Sequence, residues 1–139
     1  MTDDVRRTDR RLAYGILRFT LGLNILLHGL TRIGTLSGFA DGLVEGFADT
    51  ILPAAVVHVS AYVIVLAEVL IGALLTVGYR TRGALVAGGL LMAALVFGTA
   101  LRQEWGTLGT QMLYALIYFV LLYAREYDHY SLDRRLRRD

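Results

Sequence analysis

Four long apolar stretches dominate the chain and leave few folds open to it. They cover about 12–32, 53–78, 83–101 and 108–123, and a hydrocarbon core about 30 Å thick needs roughly 20 such residues per crossing helix. The last stretch is short, and its Tyr114, Tyr118 and Tyr123 suit an interfacial or packed helix. Charged residues make up 19% of the sequence, against about a quarter in a soluble domain, and most of them sit at the two ends. The mean hydropathy is +0.53. The pattern predicts an all-α, integral membrane four-helix bundle in a single domain, 1–139. The first stretch reads as a retained helix. Its apolar run is too long for a signal peptide, and no small-x-small cleavage site follows it.

All fourteen basic residues are arginine, and their placement orients the bundle. Arg6, Arg7, Arg10 and Arg11 precede the first span. Arg80 and Arg82 occupy the "GYRTRG" turn between spans two and three. Arg125, Arg134, Arg135, Arg137 and Arg138 follow span four, while only Arg32 and Arg102 fall in the other two loops. The positive-inside rule then puts both termini on the cytoplasmic side of the membrane. The net charge of +2 is no nucleic-acid signal, because the arginines flank apolar spans instead of forming one basic face. Cysteine is absent, so disulfides, iron–sulfur ligation and thiol chemistry within the chain are excluded.

The longest connection, 36–50, repeats Leu36, Phe39, Leu43 and Phe47 at helical spacing, with Asp41, Glu45 and Asp49 on another face. That predicts an amphipathic helix on the outer surface, its acidic stripe solvated. Pro53 suits the start of span two. Span three pairs small residues four apart, Ala84 with Gly88, Gly89 with Ala93 and Ala94 with Gly98, as at close helix contacts.

Ionisable residues at bilayer depth cost roughly 2.5–3.5 kcal/mol each on insertion scales, so each should find a partner or water. At a rise of about 1.5 Å per residue from the cytoplasmic edge, Arg18 lies about 9 Å in, Glu68 about 15 Å and Asn24 about 18 Å. His28 lies about 24 Å in and His58 about 30 Å, with Gln111 at the level of His28. Two polar layers follow. The inner one joins Arg18 and Glu68, with Asn24 at a similar depth, either as a structural ion pair between helices or as a proton site with Glu68 titrating. The outer one gathers His28, Arg32, Tyr62, Gln111 and Tyr114, with His58 at its rim, and Asn24 shares one helix face with His28 and Arg32 as a further candidate ligand. Gly29 leaves room there for a neighbouring helix or a ligand. His28 is read either as bonded to another helix or as a head-group ligand exchanging a proton. Bis-histidine haem ligation by His28 and His58 is the weaker alternative, and no metal site is expected. Trp105 reads as an interfacial anchor.

"LRFTLGLNILLHGLTRI", "LP" at 52–53, "LAEVLIGALLTVGYRTRGAL" and "YSLD" at 130–133 occur in this order. In that ordered set the chain resembles the DoxX family of small bacterial membrane proteins, related to DoxD, a subunit of an archaeal thiosulfate:quinone oxidoreductase. The resemblance runs from residue 14 to 136. The family's "HG" element maps to His28 and Gly29, its membrane glutamate to Glu68 with Gly72 one turn on, and its "TR" element to Thr81 and Arg82. Many relatives carry a glutamate early in the last span, where this chain has Gln111, which cannot carry a proton.

The resemblance implies a four-helix membrane protein associated with redox work, sulfur compounds or oxidative stress, often beside partner proteins. The resulting expectation is a quinone-linked redox subunit. His28 and Gln111 would hold the quinone head group, and Glu68 with Arg18 would conduct or balance the proton. A peripheral redox partner would supply electrons. If enzymatic, it is an oxidoreductase subunit. The alternatives are a non-catalytic anchor or scaffold, and a lipid or isoprenoid binder. A homo-oligomer fits any of the three.

Overall fold

The computed structural model describes residues 3–136. Arg137 and Arg138 lie outside the described residues. The chain forms α1 (Asp3–Ile33), α2 (Leu36–Gly46), α3 (Ala54–Val77), α4 (Thr81–Leu101), α5 (Trp105–Tyr123), a 3-10 turn at Arg125–Tyr127 and the short α6 (Leu132–Leu136). Among the described residues there is no strand. Helices α1, α3, α4 and α5 are each long and apolar enough to cross a membrane.

Their outer faces fit that solvent. Leu12, Ile16, Phe19 and Leu27 on α1, Val63, Leu66 and Leu70 on α3, Leu90 and Phe97 on α4, and Leu113, Leu116 and Phe119 on α5 are all exposed. A water-soluble monomer rarely tolerates so much contiguous apolar surface. Lipid makes it the ordinary outside of the molecule. The protein is a multi-pass membrane protein.

The interior is held by close approach. Without water exclusion between helices, packing of small residues does much of the joining. Gly72 of α3 is pressed against the backbone of Leu26. A Cβ on Gly22 would come within 2.5 Å of the Thr76 backbone nitrogen, and one on Gly29 within 2.6 Å of the Val69 side chain. α1 therefore lies antiparallel along α3 for most of its length. On the other side α4 packs on α5, with Gly88 under the Tyr118 ring, and α3 joins the two pairs. α1 and α5 meet only lightly. The span-three stripe is used on one side alone: Ala84 and Gly88 are buried, but a Cβ at Gly89 would meet open space.

α3 starts after Pro53, whose carbonyl accepts from Val56 and Val57, and ends at Gly78, where φ is 72°. A left-handed residue there lets the Tyr79 amide bond back to Leu74, the usual glycine stop for a helix. Both described chain ends share one face of the bundle. Arg10 donates to the Tyr127 hydroxyl at 2.9 Å, and the Asp133 amide donates to the Gly78 carbonyl at 3.0 Å. The opposite face carries α2, packed on α3 with Ala40 fully buried.

Candidate functional site

The glycine contacts set the helix register, and the register rearranges the polar residues. Gly29 lies against Glu68 and Val69, while Gly78 lies against the Arg18 guanidinium. Arg18 and Glu68 are therefore at opposite ends of the α1–α3 seam, and the expected ion pair between them does not form. The expectation had set Leu12 level with Gly78. In the fold Gly22 meets Leu75 and Thr76 and Leu26 meets Gly72, which sets Gly78 level with about residue 20, so α1 is shifted by about eight residues, about 12 Å.

Two separate charged centres result. At the α2 end, Arg32 Nη1 donates to both carboxylate oxygens of Glu68 at 2.6 Å. Glu68 is 4% exposed. The guanidinium also lies 4.8 Å from the centre of the Phe39 ring, so α2 roofs the pair with an aromatic face. A carboxylate taken out of water needs such a partner, because desolvating a lone charge costs several kcal/mol. Glu68 thus acts here as one half of a helix lock.

At the termini-bearing end Arg18 is 3% exposed. It donates to the carbonyls of Leu75, Thr76 and Tyr130, and its Nε lies 3.6 Å from Asp128. Burial pushes the Asp128 carboxyl above the ordinary carboxylate range, and the neighbouring Arg18 only partly opposes this. Two residues beyond Ser131, the Asp133 carboxylate accepts from the Arg80 and Thr81 amides, each at 2.8 Å. That carboxylate caps the start of α4, where the helix dipole favours a negative charge. It also holds Arg80 at φ 47°, a left-handed conformation that costs a non-glycine residue energy. The "YSLD" segment is thus a clamp joining α1, α3 and α4.

The expected outer cluster is divided. Tyr114 donates to Asn24 Oδ1 at 3.1 Å, bridging α5 and α1. Gln111 Nε2 donates instead to Thr99 on α4 at 2.8 Å, away from His28. Arg32 belongs to Glu68. His28 does not face the bundle interior: it is exposed on α1, one turn from Asn24, and its imidazole makes no hydrogen bond among the described residues. Tyr62 and His58 pack on one another, ring centres 5.2 Å apart, and both are exposed on α3. Since Gly29 meets Val69, His58 lies eleven residues farther along α3, about 16 Å from the level of His28. One haem iron cannot reach both.

Asp128, Ser131, Asp133, Phe39 and Thr99 were not singled out from the sequence as site residues. One signal was legible. Gly15, Gly22 and Gly29 recur every seven residues, and Arg18 and Arg32 sit fourteen apart on the same stripe. That repeat marks the inward face of α1, where Gly22 and Gly29 meet α3 and Gly15 meets Tyr130.

The DoxX family model matches residues 13–102. This chain belongs to the DoxX family. The match spans α1 to the end of α4, so it takes in the Arg32–Glu68 lock, while the clamp residues 128–133 lie beyond it. No curated protein and no solved structure matches this DoxX chain.

Proposed function

We propose that this DoxX protein is a quinone-linked redox subunit of a bacterial cytoplasmic membrane, with both termini cytoplasmic. The orientation rests on charge. Arg6, Arg7, Arg10, Arg11, Arg80, Arg82, Arg125, Arg134 and Arg135 lie toward the termini-bearing face. The two arginines at the other face are neutralised, Arg32 by Glu68 and Arg102 by Glu104 at 2.6 Å. In that orientation α2 lies at the outer surface.

The observation that carries the quinone reading is the exposed, unbonded imidazole of His28. It stands beside the Asn24–Tyr114 bridge, at the lightly packed seam between α1 and α5. An N–H left bare in hydrocarbon is costly. A quinone carbonyl arriving sideways through the membrane would accept from it. Asn24 and Tyr114 complete the polar edge of that seam, in place of Gln111. Arg18 takes no part, being at the other end, and Glu68 balances charge with Arg32. Electrons would come from a peripheral protein partner, because the chain has no redox cofactor motif of its own.

Lipid-free protein is titrated with a menaquinone or ubiquinone analogue. The reading requires saturable binding that weakens at least about tenfold in His28→Ala, the scale of one lost hydrogen bond. No saturation, or equal binding by the variant, overturns it. A second reading, a non-catalytic scaffold, is favoured by one observation: both buried charges have partners within the chain, Arg18 in the Leu75, Thr76 and Tyr130 carbonyls and Glu68 in Arg32.

A further inference from the structure

One face of α5 carries Gln111, Tyr114 and Tyr118 at helical spacing. Gln111 donates to Thr99, and Tyr114 donates to Asn24. Tyr118 differs from both. It is 3% exposed, and among the described residues its hydroxyl has no hydrogen-bond partner. Packing fixes it there. The ring sits over Gly88 of α4, where a Cβ would come within 2.6 Å of the hydroxyl oxygen. Ile71 of α3 and Leu91 and Met92 of α4 belong to the same buried cluster. The side chain therefore cannot swing its polar end to an interface, as an arginine at a helix end can. A bare hydroxyl in such surroundings is costly.

The bundle offers that hydroxyl one strong acceptor nearby. Ile71 lies one turn of α3 from Glu68, and Glu68 is the charged group that acts on Tyr118, with Tyr114 as its second polar neighbour. The hydrogen bonds described for Glu68 come from Arg32 Nη1 alone. A carboxylate has about four acceptor positions, so capacity remains. A buried donor and a buried acceptor that do not touch are what a single water can join. There is slack for one. α5 is the least enclosed crossing helix, with 11% of its apolar stretch buried against 28–33% in the other three. Its packing on α4 is close and its contact with α1 is light. The slack beside Tyr118 is therefore on the side away from α4.

We propose that Glu68 and Tyr118 hold an internal water between α3 and α5. The water accepts from the Tyr118 hydroxyl and donates to a Glu68 carboxylate oxygen, so the orphaned donor and the spare acceptor are both satisfied. Tyr118 becomes the second anchor of Glu68 after Arg32. The loosely held α5 gains a polar tie to α3, of the kind that joins helices in lipid. The water's second hydrogen is an exchangeable proton one turn of α5 from the Asn24–Tyr114 bridge. The site is independent of the quinone reading, which concerns the exposed His28 side of that bridge.

Tyr118→Phe keeps the ring on Gly88 and removes the hydroxyl alone, which makes the sign of its effect decisive. In reversible unfolding from mixed micelles it should raise the unfolding constant at least about fivefold, the scale of one hydrogen bond. In a Glu68→Met background, with the carboxylate gone, the same change should alter that constant by less than about twofold. Hydroxyl-radical footprinting of the full-length parent needs no variant to fold and reports the water directly. Radicals formed from a bound water should label Tyr118 at least about fivefold faster than Leu121, which is 0% exposed on the same helix, after correction for intrinsic reactivity. A Tyr118→Phe protein as stable as the parent, or more stable, overturns the proposal, because removing a truly orphaned hydroxyl is a gain. An equal loss in both backgrounds overturns Glu68 as the water's partner. Tyr118 labelled no faster than Leu121 means a dry interior and overturns the site.

Discussion

The Arg32–Glu68 lock makes an asymmetric prediction. Replacing Arg32 by Gln removes both short hydrogen bonds and leaves the Glu68 carboxylate, 6% exposed in its side chain, without its cation. Breaking a buried pair from one side costs about 3 kcal/mol or more, because the orphaned charge keeps its desolvation penalty. The reverse change, Glu68→Gln, leaves Arg32 alone. Its side chain is already 31% exposed at the helix end and can swing its head to the interface. That loss should be about 1 kcal/mol, the scale of one ordinary hydrogen bond. The double variant should resemble Glu68→Gln, giving a coupling of about 3 kcal/mol within the cycle. Reversible unfolding in mixed micelles, read by helical circular dichroism, measures all four species. Equal losses in the two single variants, or an Arg32→Gln protein as stable as the parent, would refute the reasoning. The pair would then be an exposed surface contact of little worth.

Two further outcomes follow from the packing and the clamp. Gly72→Val should separate α1 from α3 and cost at least about 2 kcal/mol, since the added carbons meet the Leu26 backbone. Gly83→Val, where a Cβ meets open space, should cost under about 1 kcal/mol in the same unfolding assay. Asp128 binds its proton more tightly folded than unfolded. Its contribution is therefore present below the ordinary carboxylate value and lost as pH rises through its raised one. The stability of the parent relative to Asp128→Asn should fall as pH is raised through that window, and a flat difference would contradict the burial of this carboxyl.

The four crossing helices were legible because a run of apolar residues long enough to span lipid has few other uses. Helix level was not. Leu12 opens the apolar run of the first span, but the vertical fit of α1 on α3 is decided by which glycine meets which backbone. About eight residues of slip moved Glu68 from Arg18 to Arg32. The environment of Arg18 was also out of reach, since its partners Asp128 and Tyr130 come from more than a hundred residues away. Hydropathy treats Asp128 as an ordinary loop residue. The seven-residue glycine repeat was the local clue that would have turned Arg18 and Arg32 onto the α3 side. His28 was misplaced for a related reason: a histidine in an apolar run says that a partner is needed, not on which side.

The clamp at 128–133 has a consequence for biogenesis. Its carbonyl and carboxylates serve Arg18 near the beginning of the chain and the α3–α4 turn in the middle. Every one of those groups leaves the ribosome before the clamp is made. The four helices must therefore be released while Arg18 and the start of α4 still rely on water or lipid phosphate, and the knot is tied only after the fourth has passed.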